Sequence, residues 1–253
     1  MNKIDLNADL GESYGPWKMG NDEALLEIVS SANVACGGHA GDNDIMLQTA
    51  RLAKQHGVVI GSHPGFEDKP AFGRRRLPLT PIQIECLIAA QTGALTAVAQ
   101  LEGVPVRYIK AHGALGLWAA EDEAVAEAIV GAVKSMPSKP AVLAISGTVL
   151  DVVSRASGLT TYSEIFADRG YNQLGRLVPR SEPGAMLHDA NMVVDRILQF
   201  METGEMPTVD DGIVKLKADS ICVHGDGKNA IQLATELKAG LQQAGMQIVP
   251  FLD

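Results

Sequence analysis

Aromatic residues make up only 4% of this 253-residue sequence, and long apolar runs are missing altogether. A core poor in rings must be built from Ala, Val, Leu and Ile, which suits parallel strands covered by helices on both faces. No apolar run reaches the ~18 residues that a membrane span needs. There is no basic run, and the net charge is −9, so the electrostatic footprint of a nucleic-acid or anionic-membrane partner is lacking. The three cysteines, Cys36, Cys86 and Cys222, form no CxxC pair. Reduced thiols in a cytoplasmic protein are therefore expected, and the acidic opening Met1 to Asn7 does not read as a signal peptide. Neither a GxxxxGK[ST] loop nor a Gly-x-Ser-x-Gly elbow occurs; Gly61-Ser-His-Pro-Gly65 carries His at its centre.

What is present is a repeating unit. An amphipathic segment ends at glycine, a short β-branched strand follows, and polar residues end the strand. Asp42 caps a segment ending near His56, Gly57 breaks it, and Val58 to Ile60 lead into Ser62-His-Pro-Gly65. Thr80-Pro-Ile-Gln83 joins a capping box to proline at the first helical position, opening a helix that Gly103 ends. Strands follow at Val104 to Ile109, Ala141 to Ile145, Leu159 to Tyr162, Ile221 to Val223 and Gln247 to Val249. With Ile4 to Leu10 and a short strand near Ala32 to Ala35, seven or eight strands alternate with helices. That pattern predicts α/β architecture over 1–253 as one domain, in a (β/α) barrel of about seven strands. An open doubly wound sheet has the same periodicity. Two long connections, Pro64 to Leu79 and Glu164 to Glu182, read as structureless loops rich in arginine.

The first strand is unusual. Alternation puts Asp5, Asn7 and Asp9 on one face and Ile4, Leu6, Ala8 and Leu10 on the other, and Glu12 follows Gly11. The polar face is either a solvated edge or the wall of a cup. The histidines favour the cup. His56 and His188 fall within helices, whereas His39, His63, His112 and His224 all lie just past a strand or its turn, each with glycine close behind. Parallel α/β folds gather substrate at the carboxyl ends of their strands. Lys110, Glu164, Asp168 and Asp226 belong to the same rim. Asp5, lower in its strand, reads as structural.

Two chemistries suit such a cup. Asp9, His63 and His112 could hold a divalent metal, although no HExxH or HxxxH pair specifies one. Alternatively Asp9 activates water while Lys110 and His112, with His63 nearby, polarise a carbonyl or protonate a leaving group. Asn7, Glu12, His39, Glu164, Asp168, His224 and Asp226 would then contact substrate, and Arg74, Arg75 or Arg169 would grip a carboxylate or phosphate. Cys36 has no paired base in view and reads as a buried small residue.

The blocks Asp5-Leu-Asn-Ala-Asp-Leu-Gly-Glu-Ser-Tyr-Gly15, Ala35-Cys-Gly-Gly-His-Ala-Gly-Asp42, Ser62-His-Pro-Gly65, Phe72-Gly-Arg-Arg75, Lys110-Ala-His-Gly-Ala-Leu115, Phe166-Ala-Asp-Arg169, Leu177-Val-Pro-Arg180 and Ile221-Cys-Val-His-Gly-Asp226 run in order along the chain. In these blocks the chain resembles the LamB/YcsF family. The resemblance implies a distorted barrel related to glycoside hydrolases and deacetylases. It further implies ATP-dependent opening of 5-oxoproline to L-glutamate, with partner subunits B and C and with ATP consumed by the complex. The sequence leaves self-association open. Gly38 stands where the family pattern suggests a bulky aromatic, and Ala111 and Gly116 where it suggests proline and tyrosine, all three on the expected pocket wall. The rival readings are a metal-dependent deacetylase of an N-acetylated sugar or amide, and a non-enzymatic carrier protein within a larger complex.

Overall fold

The computed structural model describes residues 3–223 and 230–252. In chain order the strands are β1 (Lys3–Leu10), β2 (Ser31–Ala35), β3 (Val59–His63), β4 (Val106–Ile109), β5 (Ala141–Ile145), β6 (Thr161–Phe166), β7 (Glu205–Pro207), β8 (Ile213–Lys215), β9 (Ser220–Val223) and β10 (Gln247–Ile248). The helices are α1 (Asp22–Leu26), α2 (Asn43–His56), α3 (Pro81–Ala99), α4 (Gly113–Ala119), α5 (Glu123–Ser135), α6 (Val149–Ala156), α7 (Ala190–Thr203) and α8 (Ala230–Gln243).

The main sheet runs β10-β1-β2-β3-β4-β5-β6-β9, and β9 also pairs with β1. Setting aside β10, which pairs only with Lys3 and Ile4, seven parallel strands close into a barrel. Closure decides between the two topologies that periodicity left open. It also settles the character of β1, which lies between β2 and β9 and is no edge. From Ile4 to Leu10 every residue is buried. Ile4, Leu6, Ala8 and Leu10 join the apolar layer beneath the helices, while Asp5, Asn7 and Asp9 reach partners across the barrel interior.

Local signals place the helices as their sequences suggest. Asp42 accepts from the Ile45 amide at the start of α2, and Gly57 closes that helix in the left-handed conformation. The Gln83 side chain accepts from the Thr80 amide at the start of α3. By length and composition alone the helical stretch Pro81–Glu102 could cross a membrane, contrary to the sequence-based count of apolar runs. Its Ile84, Ile88, Gln91, Thr92, Leu95 and Ala99 are instead buried in the protein.

The structure departs from expectation in three further places. His188 lies just before the N-cap residue Asp189, outside α7. The long connections are folded. One holds a 3₁₀ turn at Lys69–Ala71, and the other is tied by bridges from Arg169 to Met186 and from Tyr171 to Leu177. The β7–β8 hairpin and the short helices α1 and α4 carry too little periodicity to be read from sequence.

The barrel interior is divided. At the amino ends of the strands, Phe251 packs its ring 5.0 Å from that of Tyr108 and 4.7 Å from that of Tyr162, beside Val59, Ala141 and Leu143. Gly61 makes this packing feasible, since a Cβ there would lie 2.3 Å from the Tyr108 ring. Above this plug a hydrogen-bonded column begins at Asp5, which accepts from Ser30 (2.6 Å), Ser31 (2.7 Å) and Ser220. Three hydroxyls do not replace bulk water, and burial pushes the Asp5 carboxyl up to about 6 from 3.8.

The folded state therefore holds the Asp5 proton more tightly than the unfolded chain. Its contribution to stability is complete below pH 3.8 and is lost as pH rises through about 6. That loss amounts to about 3 kcal/mol. Urea denaturation of the wild type and Asp5→Asn across this range should show their stability difference changing by that order. A pH-independent difference would exclude a raised Asp5.

Candidate active site

The polar column rises from Asp5 to the carboxyl ends of the strands. Asn7 donates to Ser220 Oγ (2.6 Å), and Asn33 on β2 donates to both Asn7 Oδ1 (2.7 Å) and Asp9 Oδ1 (2.8 Å). Tyr108 donates its hydroxyl to Asn33 Oδ1 (2.7 Å), fixing the amide so that its NH₂ faces Asp9. Sequence reasoning misses both Asn33 and Tyr108. The signals that could have found them are the alternation Ser31-Ala-Asn33, which repeats the polar face of β1, and the spacing of Tyr108, which shares a face with Lys110 two residues on.

Lys110, just past β4, is the hub. Its ammonium lies 3.0 Å from Asp9 Oδ1, 3.0 Å from Glu164 Oε2, 3.1 Å from Cys222 Sγ and 3.3 Å from Asn7 Oδ1. Burial opposes the charge, but Asp9, Cys222 and Glu164 outweigh it and hold the amine well above its ordinary range. Burial is also the main cause that raises Glu164, with Lys110 pulling the other way. With these neighbours, Lys110 is a permanent internal counter-ion whose hydrogens are already engaged.

Beside this ion cluster stand three imidazoles. The ring of His39 stacks on that of His112 at 3.5 Å, and His63 meets His112 edge-on at 4.8 Å. His39 Nε2 donates to Glu12 Oε1 at 3.0 Å, and His63 Nε2 lies 3.4 Å from Asp9 Oδ1. Burial, and then the neighbouring imidazoles, keep His39 and His112 well below the usual histidine range, so both are neutral near pH 7. Glycines permit the close stacking. A Cβ at Gly65 would sit 2.9 Å from His39 Nδ1, and one at Gly73 would sit 2.7 Å from His39 Cβ. Of the glycines that follow histidines in sequence, Gly65 therefore has a steric reason beside the imidazole rings.

A cavity of about 320 Å³ opens over the site. Asp9, Glu12, His63, Lys110, His112 and Glu164 line it, together with Phe72, Phe166 and the guanidinium-bearing Arg74, Arg169 and Arg180. Arg169 is anchored by donating to the carbonyls of Ala185 (3.1 Å) and Val178 (2.7 Å). Burial and then the nearby Arg180 lower it to about 10, so it stays cationic near neutrality. Leu143, Ile145, Leu150 and Leu117 form an apolar wall.

Other sequence-selected residues stand elsewhere. Asn7, His39 and Asp168 are buried without lining the cavity. Arg75 pairs with Asp68 and is 65% exposed at its side chain, away from the cavity. His224 and Asp226 lie outside the described residues. Cys36 is buried, its thiol pushed up to about 12, which agrees with an inert packing role. Gly38 does not line the cavity as expected. The space beside it is filled by Gln91, which donates to the Gly65 carbonyl (2.8 Å) and accepts from its amide (3.0 Å), and a Cβ at Gly38 would lie 2.5 Å from Gln91. Ala111 and Gly116 do line the cavity, and a Cβ at Gly116 would lie 2.6 Å from the Ala111 carbonyl.

The cluster Glu12, His39, His63 and His112 has its ligand atoms within 4.8 Å of one another, which suits a cation. It shares His63 and His112 with the metal set considered from sequence. Asp9 stands adjacent, with its Oδ1 engaged by Lys110 and Asn33.

Comparison with known proteins places these features in context. Residues 4–253 match the model of the LamB/YcsF family. The chain is 49% identical over 245 residues to the 5-oxoprolinase A subunit of Gluconobacter oxydans, covering 97% of this chain and 96% of that one. It is 47% identical over 252 residues to the 5-oxoprolinase A subunit of Rhodopseudomonas palustris, covering 99% of each. Among solved structures, a lactam utilization protein from Thermus thermophilus superposes with a TM-score of 0.92 at 40% identity, covering 98% of this chain and 99% of that one.

The Lys110 cluster yields a test that does not depend on activity. Lys110→Met keeps the length and removes the charge, leaving Asp9 and Glu164 buried without their counter-ion. Denaturant unfolding at pH 7 should show a loss of about 3–5 kcal/mol. A loss within experimental error would mean that Lys110 does not organise the site.

Proposed function

Because the chain belongs to the LamB/YcsF family, we propose that it is the lactam-opening component of an ATP-dependent 5-oxoprolinase acting with partner subunits B and C. The observation that carries this reading is the placement of Asp9. Its carboxylate, fixed by Lys110 and Asn33, lines a cavity that also contains imidazoles and three guanidinium groups. A lactam carrying a carboxylate needs a base for water, neutral polar groups near the reacting carbonyl and cations for its anionic part. The size of the cavity and its apolar wall suit a small ring.

A five-membered lactam is an unactivated amide, and its nitrogen is a poor leaving group. In this proposal ATP, consumed at the partner subunits, phosphorylates the lactam oxygen and makes C5 electrophilic. Asp9 takes a proton from water as the hydroxyl adds to C5. The C5–N bond then breaks, the nitrogen gaining a proton, and an acyl phosphate remains that a second water hydrolyses to glutamate and phosphate. Arg74, Arg169 and Arg180 hold the carboxylate and phosphoryl charges. His63 and His112 line the cavity beside Asp9, at the side where the carbonyl oxygen turns negative. Lys110 acts at one remove, by holding Asp9 and Glu164 in place.

The direct test combines the chain with subunits B and C, ATP and 5-oxoproline, and measures glutamate. The assembled complex should form glutamate only when ATP is present, and Asp9→Asn should lower the rate by about 10²-fold or more. Absence of glutamate from a demonstrably assembled complex would refute the function. Near-wild-type turnover by Asp9→Asn would refute the role of Asp9.

A further inference from the structure

Hydrogen-bond direction around His63 and His112 says more than proximity does. His63 Nδ1 lies 2.8 Å from the Lys110 carbonyl, and His112 Nε2 lies 2.8 Å from the Phe72 carbonyl. A carbonyl can only accept, so both of these nitrogens carry hydrogen. With one hydrogen on each ring, the remaining nitrogens, His63 Nε2 and His112 Nδ1, present lone pairs to each other at 3.0 Å. Two buried lone pairs at that distance repel unless a cation lies between them or beside them.

We propose that Glu12, His63 and His112 form a binding site for one divalent transition-metal ion, with His39 orienting Glu12 from behind. Two bonds of about 2.0–2.1 Å to one ion bring their ligand atoms to roughly 3.0–3.4 Å, the spacing found here. Glu12 Oε1, 3.8 Å from His112 Nδ1, supplies the third, anionic donor. Two imidazoles and one carboxylate suit zinc and its neighbours better than calcium or magnesium, which favour all-oxygen sites.

The surroundings are built for this purpose. Backbone carbonyls that fix the outer nitrogens are the usual support for metal-binding histidines. The Phe72 carbonyl is aimed by a left-handed backbone (φ 56°), a conformation uncommon for a bulky residue. Among the described residues His39 Nδ1 has no hydrogen-bond partner, while its Nε2 donates to Glu12. A shared proton is the competing cation, with Asp9 3.4 Å from His63 Nε2 and Glu12 3.8 Å from His112 Nδ1 as its counter-charges, and metal titration separates the two.

The inference rests on the lactam-opening reading only for the ion's use, which would be to place positive charge beside Asp9 where the carbonyl oxygen turns negative. Binding is tested separately. Full-length chain treated with a chelator is titrated with Co²⁺ alone, and one equivalent should develop visible absorption that Zn²⁺ abolishes. Glu12→Gln and His112→Gln, shown to be folded by circular dichroism, should lose the signal. His39→Gln should weaken affinity by about 10–100-fold. No uptake by folded wild-type protein would overturn the site, as would uptake that survives both ligand substitutions. A downfield proton resonance lost in His63→Gln, with no metal bound, would replace the ion with a shared proton. Metal uptake without glutamate formation by the assembled complex removes only the lactam reading, and glutamate formation by metal-free protein removes only the ion's use in the reaction.

Discussion

An ammonium group buried inside a barrel is the constraint on which the rest of this structure depends. Taking such a charge out of water costs several kcal/mol even after relaxation. The partners of Lys110 offset that cost from across the ring. Asp9 and Asn7 come from β1, Glu164 from β6 and Cys222 from β9, while Lys110 itself follows β4. No adjacent pair of strands could supply this shell. The ion cluster therefore requires closure, and closure brings the cluster together. Asp9, its counter-ion Lys110 and the second carboxylate, Glu164, are consequently set by the scaffold.

The same dependence explains why β1 changes character along its length. Asp5 is low in the barrel, satisfied by serine hydroxyls and remote from the cavity. Asn7 is a neutral bridge between Ser220 and Asn33. Asp9 lines the cavity. Three polar residues at alternate positions thus pass from structural support to the cavity wall within about 14 Å of extended strand. The shared Asn33 links the middle of this column to its top, so any substitution that turns its amide disturbs Asp9 and Asn7 together.

Much of this was legible in sequence because the barrel obeys local rules. Polar alternation in β1, glycine after several helices and histidine after several strands all have short-range causes. What escaped reading was set by contacts distant in sequence. Arg75 and Arg74 are adjacent in the chain, yet Asp68 turns Arg75 away while Arg74 lines the cavity. Gly38 looked like a missing pocket wall, but its space belongs to Gln91, 53 positions later on α3. Asn33 looked like any polar strand residue until Tyr108 and Asp9 gave it an orientation. Sequence marks which residue types collect at a strand end. Tertiary packing decides which of them share one space.

The imidazole cluster and the Lys110 cluster meet at Asp9 but answer opposite demands. Around Lys110 the barrel stabilises a charge by surrounding it with carboxylates, and the amine stays protonated. Around His39 and His112 it excludes charge by stacking neutral rings and packing glycine backbone against them, and the imidazoles stay unprotonated. A single low-dielectric interior can do both because the carboxylates are unevenly divided, Asp9 and Glu164 facing the amine and Glu12 facing the rings. His63 spans the divide. Its Nδ1 donates to the carbonyl of Lys110, and its Nε2 lies between Asp9 and His112. A shift of the Lys110 backbone would therefore re-aim the imidazole as well as the ammonium. One residue couples the charge that holds Asp9 to the ring beside it, so the placement of the carboxylate and of the imidazole is set at one point.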